Sequence, residues 1–162
     1  MARVTVIALL IALRMAFGIP AFMTDGPYWT RALLYSLFHA SWWHLAVNAV
    51  AVWTIFDPRR NTRAWQVTAA CVIAVLVYPL SFRPVIGLSN VLYAVLGLRT
   101  PPLRNPWWKQ PAVLAFLAIT VAMVFLPRFS ATTHIAAFLL GMGGAALERA
   151  WKRLTDDAGR YL

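Results

Sequence analysis

Acid is what this chain has least of: its 162 residues hold five Asp and Glu against fifteen Lys and Arg. All five, Asp25, Asp57, Glu148, Asp156 and Asp157, fall outside the hydrophobic runs. A transporter or channel for cations or protons is therefore disfavoured, because such pathways carry acidic groups within their spans. Cysteine is represented by Cys71 alone, inside an apolar run, which excludes a disulfide framework and a cysteine-ligated metal site and leaves the redox compartment open. Charge of either sign is also sparse, 12% of residues against about 25% in an ordinary soluble domain.

What is present is apolar: 61% hydrophobic residues and a mean hydropathy of +0.66. These values predict an all-α integral membrane protein, and the length allows a single domain over residues 1–162. The formal charge of +10 would suit a nucleic-acid partner, but the basic residues cluster between the apolar runs, so it reads as membrane topology with no nucleic acid involved. The first run starts almost at Met1, outlasts a signal-peptide core and lacks a clean small-residue cleavage site before Thr24, which predicts a retained span.

Hydropathy with Pro, Gly and Arg punctuation predicts six segments: Val4 to Phe22, Trp42 to Phe56, Ala64 to Leu80, Ser89 to Leu98, Pro111 to Leu126 and His134 to Leu147. A helix crossing about 30 Å of hydrocarbon needs roughly 20 residues. The short fourth segment must therefore begin below one surface, inside a protein-lined or wet cavity. With six crossings, eleven basic residues fall on one side and Arg31, Arg83 and Arg128 on the other, while Arg14 lies inside the first segment. The positive-inside rule then places both termini in the cytoplasm and the starts of segments two, four and six near the outer face. Those starts carry His44, Ser89 and His134.

Serine is a weak nucleophile until a base takes its proton, and histidine is the usual base. Ser89 and His134 fit those roles. No acid lies in a span, so the pair would work as a dyad without a third, carboxylate member. Tyr93 follows Ser89 at i+4 and can pack its ring against His134, or simply fill core. His44 and Asn48, also spaced i, i+4, project from one helix face and suit either oxyanion donation, joined by the Ser89 backbone N–H, or interhelical hydrogen bonding. Gly87 leaves room for a sharp turn before the serine. Gly97, Ala137 and Gly141 form small-residue stripes that let the serine and histidine helices approach, extended by Gly143 and Gly144. Taken alone, Ser89 reads as a helix cap and His134 as a polar helix start; their joint placement favours chemistry. His39 reads as structural, holding the first loop. Arg14 is expected either to snorkel or to pair with Glu148.

These residues resemble the rhomboid intramembrane serine proteases. Trp29-Thr30-Arg31 is similar to the family's Trp-Arg loop element, His39 to Asn48 match HxxxxHxxxN, Gly87-Leu88-Ser89 match the start of GxSG, and His134 with Gly141 matches HxxGxxxG. The resemblance implies a six-helix bundle with Ser89 as nucleophile, His134 as general base, His44 and Asn48 as oxyanion-hole side chains and Tyr93 packed on His134. It also implies no metal or organic cofactor, transmembrane protein substrates cut near the outer face, and a setting in membrane lipid; compactness and the basic inner loops suit a bacterial plasma membrane. Nothing in the sequence sets an oligomeric state. Two positions depart from the pattern: Asn90 stands at the second Gly of GxSG and Ala137 at the first Gly of HxxGxxxG. Asn90 is expected to narrow the substrate pocket or add a hydrogen bond. These departures motivate the alternative of a proteolytically silent relative that binds transmembrane clients.

Overall fold

The structure, a computed structural model, describes residues 2–56, 63–81, 86–99 and 131–158, together with positions 114, 118, 121 and 122. Its helices in chain order are α1 (Ala2–Phe17), α2 (Phe22–Asp25), α3 (Tyr28–Leu34), α4 (Trp42–Ile55), α5 (Ala64–Val77), α6 (Ser89–Leu98) and α7 (Ala131–Ala158). Short 3₁₀ turns follow α3 at Tyr35–Leu37 and α5 at Tyr78–Leu80. Local chemistry sets several of the ends. The Ser41 hydroxyl caps α4 by accepting from the His44 N–H at 3.1 Å. Gly18, at φ +59°, ends α1 with its N–H on the Arg14 carbonyl at 3.1 Å.

α6 is the centre of the bundle, and every one of its ten residues is buried. It packs on α7, α5, α4 and the Tyr35–Leu37 turn, while α1 lies against α4. Protein on all sides is what allows a ten-residue helix headed by Ser89 and Asn90 to sit in an apolar molecule. The closest approach is glycine on glycine. A Cβ on Gly97 would strike the Phe138 carbonyl oxygen and come within 2.9 Å of the Met142 nitrogen. One on Gly141 would strike the Ala94 carbonyl oxygen and come within 2.9 Å of the Leu98 nitrogen. Ala137 is fully buried in the same seam, and Gly144 would meet Leu98 at 3.0 Å. Gly143 faces open space, so the expected extension of the stripe holds at Gly144 and fails at Gly143.

Large apolar side chains stand exposed on the outward faces of α1, α4, α5 and α7, among them Met15, Val50, Leu76 and Leu147. Among the described residues no helix is long and apolar enough to cross a membrane. α4 and α5, at 14 residues each, reach about 21 Å at about 1.5 Å per residue. α7 has 28 residues but ends in a charged stretch. Most of the expected fifth segment, Pro111 to Leu126, lies outside the described residues, although Leu114, Ala118, Val121 and Ala122 are helical. So do Arg59, Arg60, Arg83, Arg104, Lys109, Arg128 and Arg160 of the charge pattern.

The described charges sort by end. Arg3 donates to the Trp53 carbonyl at 3.1 Å with its guanidinium 3.9 Å from the Trp53 ring centroid, and Arg99 donates to the Ile55 carbonyl. Glu148 is paired with Arg63 at 3.3 Å and Lys152 at 2.6 Å, so the Arg14–Glu148 pair is not formed. α1 stops at Phe17, five residues short of the expected boundary, which puts Arg14 in its last turn and not midway. A cation there complements the helix C-terminus, and the guanidinium lies 5.8 Å from the Trp42 ring centroid at the head of α4.

Candidate active site

The site is built around one turn. Gly87 takes φ +132°, a region open to glycine, and donates its N–H to the Tyr35 carbonyl at 2.9 Å. A Cβ there would lie 2.8 Å from His44 Nε2 and 3.4 Å from Asn48 Nδ2. The missing side chain is therefore what lets the backbone leading into Ser89 press against both α4 residues. α6 then starts at Ser89, whose Oγ lies 2.7 Å from His134 Nε2 across 45 residues of sequence. Both are buried, 7% and 4% exposed, which makes this contact a hydrogen bond shielded from water. With the imidazole proton on Nδ1, the serine O–H donates to Nε2, the arrangement general-base activation requires.

His134 Nδ1 is buried without a hydrogen-bond partner. The ring is held instead by Tyr93, whose centroid lies 4.8 Å away at 38° to it. Asn48 is 2% exposed, and its Nδ2 has no hydrogen-bond partner, so a donor stands unused beside the Gly87 turn. His39, fully buried before α4, sets its ring 5.3 Å from that of His44. Burial, then His44 and Arg14 nearby, push the His39 imidazole down to about 4, which keeps it neutral near pH 7.

The sequence-derived residues thus fall into three groups. Ser89, His134 and Tyr93 are in direct contact; Gly87, His44 and Asn48 gather at the adjoining turn; Gly141 serves the α6–α7 seam and stands apart from the chemistry. Asn90 sends its amide to the Tyr35 hydroxyl at 2.9 Å, so of its two expected outcomes the added hydrogen bond is the one present. No local signal in the sequence marks Tyr35 as the partner of a residue 55 positions away.

The family model for the Rhomboid domain matches residues 26–150. This chain belongs to the rhomboid family. Rhomboid proteins are all-α membrane proteins, either intramembrane proteases or inactive relatives, and the matched stretch holds every residue of the site just described. No curated protein and no solved structure matches the chain.

Proposed function

We propose that this rhomboid is an intramembrane serine endopeptidase that cuts transmembrane proteins near the outer membrane face, with both termini cytoplasmic, in a bacterial plasma membrane. The observation that carries the reading is the buried 2.7 Å contact between Ser89 Oγ and His134 Nε2. In this mechanism the Ser89 oxygen attacks the scissile carbonyl as its proton passes to Nε2, and the imidazolium returns that proton to the leaving amine. His44, Asn48 and the Ser89 N–H supply donors for the oxyanion. Water then enters, its oxygen adds to the acyl carbon as its proton passes to Nε2, and the imidazolium returns that proton to the departing Ser89 oxygen, releasing the carboxyl product and restoring the pair. The same protein atoms serve both half-reactions, and no metal or organic cofactor takes part in the proposed cycle.

Labelling of the detergent-purified protein with a serine-reactive fluorophosphonate tests this. Covalent modification at Ser89 is the expected result; well-folded wild type that stays unlabelled would sink the protease reading. It would favour the second one, a silent relative that binds transmembrane clients, which Asn90 and Ala137 motivate. Retention of both Ser89 and His134 in hydrogen-bond contact favours the enzyme. Asn48→Ala is expected to slow turnover about 100- to 1000-fold with little change in KM, the loss typical of one oxyanion donor. A loss of turnover matched by loss of folded protein, with the rate per folded site unchanged, would assign Asn48 to helix pairing alone. Gly87→Ala is expected to slow labelling about 100-fold, because the added methyl displaces His44 at a φ that strains any side chain.

A further inference from the structure

We propose that Tyr35 is a positioning residue for the nucleophile and that it acts through Asn90 and Gly87. The inference rests on the reading of Ser89 as nucleophile.

Tyr35 is fully buried in the 3₁₀ turn of the first loop, and three of its hydrogen bonds reach out of that loop to α5, to the turn before α6 and to α6 itself. Its backbone carbonyl accepts from the Gly87 N–H at 2.9 Å. Its hydroxyl donates to the Ala74 carbonyl of α5 at 2.8 Å and accepts from Asn90 Nδ2 at 2.9 Å. Donor inventory fixes this arrangement. A phenol has one hydrogen; with that hydrogen on Ala74, the oxygen can only accept from Asn90, which sets which way the amide faces.

Gly87 and Asn90 bracket Ser89 in the chain. One residue therefore ties down the backbone before the serine and the side chain after it, anchoring both to α5. The same turn leads directly into His39 and then α4, whose His44 and Asn48 touch the Gly87 turn. Tyr35 thus fixes where the Ser89 end of α6 stands against α5 and against His44 and Asn48 of α4. Its ring is itself braced, 5.0 Å from that of Tyr78. Asn90 is in this view a working part of the site, and a glycine at that position leaves the Tyr35 hydroxyl without its donor.

The test measures fluorophosphonate labelling kinetics for wild type, Tyr35→Phe, Asn90→Ala, Asn90→Gly and the Tyr35→Phe/Asn90→Ala double variant. Each single variant is expected to lower the maximal labelling rate about 10- to 100-fold. The half-saturating probe concentration and the end-point stoichiometry should stay at wild-type values. A purely structural role would instead lower the end point, by reducing the folded fraction, and leave the rate per folded site unchanged. Asn90→Ala keeps the Tyr35–Ala74 bond, so it carries the test should Tyr35→Phe fold poorly. The double variant should be no slower than the slower single, since both remove the same bond. Wild-type rates in the single variants, a faster Asn90→Gly or multiplying losses in the double would overturn the positioning role while leaving Ser89 the nucleophile. An unlabelled wild type would instead overturn the protease reading itself.

Discussion

Alanine at Ser89 is expected to abolish fluorophosphonate labelling and peptide-bond cleavage alike, and alanine at His134 to lower both by about 10⁴-fold or more. Removing a single member of a nucleophile–base unit costs nearly as much as removing the whole unit, because neither part works without the other. The geometry sharpens that expectation. The 2.7 Å contact is buried, and among the described residues His134 Nδ1 has no hydrogen-bond partner and no carboxylate beside it to substitute for the lost base. The double variant should match Ser89→Ala within error. Labelling of His134→Ala within tenfold of wild type would mean that the serine is activated by something else.

Valine at Gly141 or Gly97 is expected to produce the largest loss of stability of any single substitution, about 3 kcal/mol or more, read as a fall in melting temperature in detergent. Overpacking a core typically costs about 1–3 kcal/mol when side chains can yield. Here the new Cβ falls on backbone: the Phe138 carbonyl for Gly97 and the Ala94 carbonyl for Gly141. Neither atom can rotate away. The helices must separate, and Ser89 and His134 separate with them, so labelling should fall together with stability. Gly143→Ala is the internal contrast. That position meets open space, and alanine is the better helix former by about 0.8–1.0 kcal/mol. An unchanged or raised melting temperature is expected there; a fall as large as that of Gly141→Val would show the seam to be wider than Gly97, Ala137, Gly141 and Gly144.

Much of the site could be read from the sequence because its parts sit at recognisable places on helices. Ser89 and Tyr93 share a helix face, and His44 and Asn48 share another. What escaped depends on packing between distant segments. The Asn90–Tyr35 bond joins residues 55 apart and exists only because the first loop folds back over α6. Arg14 looked stranded in a span because hydropathy runs on through Ile19 to Phe22, whereas Gly18 ends the helix earlier through its own backbone conformation. Gly143 looked like its neighbours because composition carries no information on which way a helix is turned.

The glycine seam divides the site mechanically. Ser89 and His134 ride on α6 and α7, which are locked backbone to backbone and behave as one stiff plate. His44 and Asn48 ride on α4, which meets that pair of helices through the side-chain-free surface of Gly87. On the protease reading, a displacement of α4 would therefore carry His44 and Asn48 away from the serine without requiring the Ser89–His134 contact to open.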